Sequence, residues 1–299
     1  MIPIPKDLED RLKKPNTNFS LLFPRLTDWE WHKENDGELK LKKKDNAIEQ
    51  IGRMSSTHLS NSNELLKKIS VVQGEYISAV NGKEISAKLI SPFITGLGAG
   101  HPTETGMILD RNTGVPYIPA STIKGVVRTA YAVNISDESG KASDDELDKI
   151  FGSLEHKGKI VFLDAYPKSA PTIQCDIMNP HFGKYYSGDN KLPLENENPV
   201  PIKFLSVKPG TTFAFRYVIT DENGVKPEDI EKAFETAFSV VGFGGKTAIG
   251  YGRFENEELK VAREEAEKLA REAAIQQNLG TEPLAKNNKF VGEVVDPKP

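Results

Sequence analysis

The chain has 299 residues, 37% of them hydrophobic and 27% charged, with 24 Gly and 19 Pro. That composition belongs to a loop-rich globular protein of one large domain or two ordinary ones, and excludes disordered, fibrous and disulfide-stapled classes. The net charge of −4 advertises no polyanion partner. It is unevenly spread: residues 137–148 carry six acids and one lysine, and the stretch from Glu255 onward carries ten acids against seven bases, which leaves the remainder slightly basic. No apolar run approaches the roughly 20 residues a membrane helix needs, and the amino terminus lacks the layout of a secretory signal. Cys175 is the single cysteine. An internal disulfide and a cysteine metal cage are therefore ruled out, and the expectation is a cytoplasmic protein without metal, cofactor or membrane contact.

In chain order, residues 1–82 read as a helical and irregular region packed on a core. Trp29 and Trp31 sit in a polar stretch leading to LKLKKKDN, whose lysines Lys42, Lys43 and Lys44 read as a solvated loop. Residues 62–80 place Leu65, Leu66, Ile69 and Val72 at helical spacing. KEISAKLISPF then alternates Ile85, Ala87 and Leu89 as a strand with one buried face. After a long glycine-bearing loop, PASTIKGVVRTAYAV predicts a helix with Ile123, Val126, Val127, Ala130 and Tyr131 inward, and Lys124 and Arg128 on the other face. A short acidic helix around 143–151 precedes Ile160–Leu163, whose unbroken apolar run reads as a central strand.

Residues 168–201 lack a period and mark an insertion, after which PIKFLSVKPGTTFAFRYVIT reads as two strands about the turn Lys208-Pro209-Gly210. Pro227 opens the clearest helix, with Ile230, Ala233, Phe234, Ala237, Phe238 and Val241 as its stripe. The cluster GFGGKTAIGYG and a last strand, YGRFE, follow. Stripped of insertions, residues 83–255 thus read strand, helix, strand, hairpin strand, helix, strand. That order predicts an α+β, ferredoxin-like (RRM-type) antiparallel sheet with both helices on one face and a thumb-like hairpin inserted at about 168–201. Residues 257–299 predict an amphipathic helix, with Leu259, Ala262, Ala266, Leu269 and Ala273 as its stripe, and a disordered tail from Thr281.

The chemistry concentrates in Gly242, Gly244, Gly245, Lys246, Gly250 and Gly252. Glycines allow positive φ and expose backbone N–H groups, so this loop can lie along a phosphate backbone, with Lys246 adding charge. It is neither of the common nucleotide motifs. A Walker loop needs glycine where Val240 stands, a dinucleotide fingerprint needs it where Thr247 stands, and both run strand, loop, helix, the reverse of the order here. The second element is the helix start at Ser121, where a capping hydroxyl and free N–H groups attract an anion and Lys124 and Arg128 extend the positive end.

The segments PYIPASTIKGVVR, FGS with GKIVFLDAYP, and GFGGKTAIGYGRF resemble, in order, the characteristic segments of the RAMP superfamily of CRISPR systems. Within it, GLGAGHPTETGMILDRNTGVPYIP and DIMNPHFGKYY resemble the sixth subunit of the type III-B, or Cmr, effector complex, over roughly residues 85–254. The resemblance implies a non-catalytic backbone subunit that caps the filament near the 3′ end of the guide RNA. Its partners would be the CRISPR guide RNA, the target RNA, and the other backbone and small subunits. It maps phosphate contacts onto Lys124, Arg128 and the Gly242–Gly252 loop, and it makes residues 168–201 a thumb. His101, Arg111, Ser121, Lys184 and Tyr185 complete the candidate RNA-binding set.

Two further classes stand beside that one. A metal-independent CRISPR RNA endonuclease would use His101 or His181 as general base; the aspartates Asp110 and Asp176 read instead as turn or cap residues. A protein-only assembly adaptor would use the glycine loop and the tail helix for subunit contacts. Tyr185 and Tyr186 offer stacking faces to unstacked bases if their rings are exposed.

Overall fold

The fold is taken from a computed structural model, which describes residues 5–25, 27–34, 37–101, 105–136, 142–179, 182–188, 191–192, 201–261, 265 and 268–269. Two compact units, Met1–Glu257 and Glu258–Pro299, divide the chain. In the first, the elements are α1 (Lys6–Leu12), α2 (Phe19–Arg25), β1 (Trp29–Lys33), β2 (Leu39–Lys43), α3 (Ala47–Ser60), α4 (Asn63–Ala79), β3 (Lys83–Leu89), α5 (Ala120–Ile135), α6 (Asp144–Phe151), β4 (Ile160–Phe162), β5 (Tyr166–Pro167), β6 (Ile173–Met178), α7 (Gly183–Tyr186), β7 (Ile202–Val207), β8 (Thr212–Ile219), α8 (Pro227–Thr236) and β9 (Phe254–Glu255). Of the second unit, Glu258–Val261, Glu265, Lys268 and Leu269 are described and helical. Ala262, Ala266, Ala273 and the tail from Thr281 lie outside the described residues.

The main sheet runs β4-β8-β3-β9, every pair antiparallel, with β5 also on β8. The result is a mixed α+β fold. β4 is not central, as its apolar run predicted: it is three residues long, pairs with β8 and forms an edge, while the eight-residue β8 takes the centre. An apolar run reports burial on both faces and not position in the sheet.

β8 presents two different faces, because successive strand residues point to opposite sides. On one, Phe215 lies 6.2, 5.0, 5.1 and 5.4 Å (ring centroids) from Phe234, Phe238, Phe243 and Phe254. These rings come from α8, the π-helical turn Ala237–Val241 that continues it, the glycine cluster and β9. α5 packs on α8 over the same face. The predicted stripes hold in both helices, with Val126 and Val241 half-buried at their margins.

The opposite face is covered too, by α4 from the amino-terminal region. Arg216, on that face of β8, is 1% exposed. Its guanidinium donates to Glu84 Oε2 (2.8 Å), to Gln73 Oε1 (2.6 Å) and to Ser70 Oγ (3.1 Å), and Lys168 joins Glu84 at 3.1 Å. Burial raises the Glu84 carboxyl, but Lys168 and Arg216 outweigh it and hold the pKa below the usual glutamate value. In α4 itself, Leu66 and Ile77 are buried while the predicted stripe residues Leu65 and Val72 are 41% and 65% exposed; the helix is anchored through its polar Ser70 and Gln73.

A second sheet pairs β6 with β7 from Ile173↔Val207 to Met178↔Ile202. The turn Lys208-Pro209-Gly210 is therefore not a hairpin: it carries the chain from one sheet to the other, β7 pairing with β6 and β8 with β3. β7 thus pairs with a strand that lies within the stretch read as an insertion. α3 packs on β6 and β7, and Phe93, just past β3, bridges Val207. β1 and β2 form a hairpin that the helical reading of residues 1–82 did not foresee, although WEWHK and LKLKK alternate at period two.

Arg216→Ala would open a cavity and leave Gln73 and Ser70 without their partner, while Glu84 keeps Lys168. The expected loss is about 2 kcal/mol of unfolding free energy, the cost of leaving polar groups unsatisfied. Urea denaturation of wild type and variant, with equal slopes, measures it.

Candidate nucleic-acid interface

Gly242 closes the helical end of α8 and its π turn with φ of 78°, and its N–H donates to the Ala237 carbonyl (2.8 Å). Phe243 is buried in the aromatic cluster, and its N–H donates to the Gly252 carbonyl (2.9 Å). Gly245 N–H donates to the Ile94 carbonyl (2.8 Å) and Gly252 N–H to the Pro92 carbonyl (2.8 Å). Gly250 and Tyr251 N–H groups close the short 3-10 turn Thr247–Ile249. With Ile249 N–H, which donates to the Lys246 carbonyl (3.2 Å), seven of the loop's backbone donors thus serve the fold. The phosphate cradle expected from an array of free N–H groups narrows to Gly244 and Lys246–Ala248, of which Gly244 and Ala248 are exposed and Lys246 and Thr247 half-buried.

The glycines differ in why they are glycines. At Gly244 (φ 83°) a methyl group would overlap the Ile94 carbonyl oxygen, and at Gly252 (φ 68°) the Phe243 carbonyl oxygen. Gly250 (φ 95°) faces open space and is required by its backbone conformation alone. Gly245 has ordinary φ, and a Cβ there would rest 3.8 Å from Ile94 and Leu97. Lys246 is left-handed (φ 61°), with its Nζ 5.6 Å above the Phe204 ring of β7. Tyr251 donates its hydroxyl proton to Asp176 Oδ2 of β6 (2.5 Å), and burial with this bond pushes its pKa up to about 12. The loop is thereby fastened to the core, to the β3–α5 connection and to the second sheet.

The α5 start lies at the same end of the main sheet. Ile118 bridges Ala165 just past β4, while Gly252 meets Pro92 just past β3. Three strand spacings separate the two edges, about 14 Å. The helix is not capped by Ser121, which is exposed in its first turn. Asp164 takes that role, its Oδ1 accepting from Ala120 N–H at 2.7 Å, so a carboxylate already occupies the positive end. Arg128 is also engaged: it pairs with Asp148 of α6 at 2.9 Å. Lys124 is half-buried and has no ion partner among the described residues.

The other candidates are placed as follows. Asp110 Oδ1 accepts from Asn112 N, Thr113 N and Thr113 Oγ1 (3.1, 2.7 and 2.8 Å), and Oδ2 from Tyr166 OH (3.3 Å), so it organises a turn. His101 stacks on Phe23 at 3.9 Å with planes 18° apart. Burial lowers its pKa to about 4, against a weaker opposing hydrogen bond with the Phe23 backbone, and leaves the ring neutral at physiological pH. Arg111 is exposed. Tyr185 and Tyr186 are 42% and 76% exposed. His181 and the side chain of Lys184 lie outside the described residues. Asp164, Phe204 and the Tyr251–Asp176 bond were missed from sequence; each joins elements far apart in the chain and leaves no local signal. Among the described residues no group of three or more His, Cys, Asp or Glu is placed to hold a metal ion, and no helix is long and apolar enough to cross a membrane.

Two outcomes are expected. Gly244→Ala should cost about 2 kcal/mol or more, whereas Gly245→Ala should stay within about 1 kcal/mol; paired denaturation curves test this contrast. For His101, the unfolded chain takes up a proton near pH 6.5 and the folded chain only near 4, so stability falls as pH drops through that window. His101→Phe keeps a ring on Phe23 and should flatten that part of the stability–pH curve; identical wild-type and variant slopes would mean His101 titrates normally.

The sequence pattern of the RAMP superfamily matches residues 86–255. The chain is 31% identical over 251 residues to the CRISPR system Cmr subunit Cmr6 of Pyrococcus furiosus, spanning 64% of this chain and 72% of that protein. Identity to the CRISPR system CMR subunit Cmr6 of Saccharolobus solfataricus is 31% over 165 residues, 54% of this chain and 51% of that one. Among solved structures, a chain of the type III-B Cmr-beta complex bound to cognate target RNA shares the fold, with a TM-score of 0.50 at 23% identity over 72% of this chain and 75% of that one. The extent of these matches, over the sheet, both its helices and the glycine loop, means that the chain belongs to the RAMP superfamily and, within it, to the Cmr6 family of CRISPR-system subunits.

Proposed function

We propose that this chain is a non-catalytic RNA-binding backbone subunit of a type III-B CRISPR effector complex. It would hold the guide RNA toward its 3′ end, cap the filament there for target RNA recognition, and assemble with the other Cmr subunits in the cytoplasm. The observation that carries the reading is the placement of Lys124 and of the stretch Gly244–Ala248, exposed at Gly244 and Ala248, at one end of one sheet. The strand order β4-β8-β3-β9, joined through α5 and α8, is the order of a ferredoxin-like unit, and supports treating this end as the RNA face. Two of its relatives are named as Cmr subunits and a third as a Csm3 endoribonuclease, and the complex that contains a chain of similar fold is bound to target RNA. The reading excludes chemistry at His101 because a ring neutral above about pH 4 and stacked on Phe23 is a poor proton shuttle for RNA cleavage. Asp110, with both oxygens engaged in its own turn and by Tyr166, is likewise committed to structure.

Arg128 is held by Asp148, so the informative double substitution is Lys124→Ala with Lys246→Ala. Guide RNA affinity should drop about tenfold at moderate salt, and the slope of log K against log salt should become shallower by about 1.4, at roughly 0.7 per lost single-strand phosphate contact. Filter binding across a salt series measures both. Unchanged affinity and slope would overturn the RNA face. RNA cleavage that vanishes in His181→Ala while binding persists would replace the scaffold reading with the endonuclease.

A further inference from the structure

Between α2 and the connection from β3 to α5 lies a cleft of about 480 Å³, whose lining includes Leu21, Phe23, Arg25, His101, Met107 and Arg111. Its two arginines are exposed and form no ion pair among the described residues. Three other arginines are committed: Arg128 to Asp148, Arg216 to Glu84, Arg253 to the Thr247 carbonyl. The lining beside the two arginines is largely apolar and partly aromatic: exposed Leu21 and half-buried His101, backed by buried Phe23, on which His101 stacks, and buried Met107.

The cleft is organised from both sides. Asn18 Oδ1 accepts from Ser20 N–H (2.8 Å) at the start of α2, while its Nδ2 donates to the Arg111 and Asn112 carbonyls (both 2.9 Å). Gly114 (φ 73°) is a glycine because a methyl group would meet Asn18 Oδ1. One side chain thus ties the helix bearing Arg25 to the turn bearing Arg111. The turn is braced a second time by Asp110, through Thr113 and Tyr166.

We propose that this cleft binds one unstacked nucleotide of single-stranded RNA, its base against the Phe23–His101, Leu21 and Met107 wall and its phosphate between Arg25 and Arg111. The proposal rests on the RNA-scaffold reading and extends its contact surface to α2, which lies outside the matched residues 86–255. The volume falls within the range of pockets that hold small ligands. Planar guanidiniums suit phosphate, and an apolar aromatic wall beside them suits a base, whereas an acidic peptide would use the cations and leave the wall uncovered. Continuity favours a strand over a free nucleotide. The connection that supplies His101, Met107 and Arg111 also receives the glycine loop, through the Gly245 N–H bond to Ile94 and the Gly252 N–H bond to Pro92. Thr95 and Leu97 pair back onto Ile108 and Gly106, so the two sites sit on one folded loop.

The test uses the full chain, a 4-thiouridine-containing single-stranded RNA, and adenosine 5′-monophosphate as the free-nucleotide arm. Irradiated wild type should crosslink within residues 18–25 or 105–111. Arg25→Ala with Arg111→Ala should lose those crosslinks and about tenfold in RNA affinity, with the melting temperature unchanged and the Lys246 crosslinks retained. Arg25→Lys with Arg111→Lys should recover only part of the affinity, since lysine lacks the planar fork. Unchanged crosslinks and affinity in the double alanine variant, while Lys124→Ala with Lys246→Ala still weakens binding, overturn the cleft and leave the scaffold reading standing. Wild type that binds no RNA overturns both. Arginine-dependent binding of the monophosphate without RNA crosslinks, or a variant that loses only subunit assembly, also overturns the proposal, in favour of a free-nucleotide site or a protein contact.

Discussion

In β8, Phe215 and Arg216 are neighbours in sequence and opposites in environment, and the arrangement of the whole amino-terminal unit follows from satisfying both. Phe215 sits in a ring cluster drawn from α8, its π turn, the glycine loop and β9, where the hydrophobic effect and edge-to-face packing act together. Arg216 points the other way into a space with almost no water. A guanidinium there is tolerable only if its donors are met, and Glu84, Gln73 and Ser70 meet them. Two of those partners belong to α4. The residues that precede the superfamily match are thereby fixed on the sheet, since releasing α4 would strip a buried cation of its acceptors.

That attachment has a structural consequence at the opposite end of the same region. α3 packs on the β6–β7 hairpin, and Lys203 of β7 pairs with Glu49 of α3 at 2.9 Å. Asp176 and Phe204 of that hairpin in turn hold Tyr251 and Lys246 of the glycine loop. The loop is therefore braced by three bodies: the main sheet, the β3–α5 connection and the second sheet. Such bracing leaves the loop little conformational entropy to lose on binding a ligand.

The same logic reassigns several charged residues. Lys124 and Arg128 are four apart on one helix and look equivalent as a pair, but α6 brings Asp148 to one of them and leaves the other. A helix start that should attract an anion already has one, Asp164, delivered from the far side of β4. Conversely Arg25 and Arg111, nearly ninety positions apart, share a cleft because Asn18 joins their backbones. A surface's sign and strength depend on which charges are already neutralised by neighbours.

Periodicity by itself determined the strand at Ile85–Leu89, the helices with their apolar stripes, and the alternation of Phe213, Phe215 and Tyr217, but not β6, which lies in the stretch without a period. Each follows from local geometry, 3.6 or 2 residues per repeat, and needs no knowledge of neighbours. The resemblance of three separated segments to one superfamily rested on the same residues. Only the tertiary structure decided that β7 pairs with β6 and not with β8, that β4 is an edge, that α4 buries polar residues against Arg216, and that Gly244 is glycine because Ile94 lies against it. Those outcomes depend on which distant groups meet. A turn such as Lys208-Pro209-Gly210 reads the same whether it closes a hairpin or passes between sheets, because the hydrogen-bond partners that distinguish the two lie thirty or more residues away.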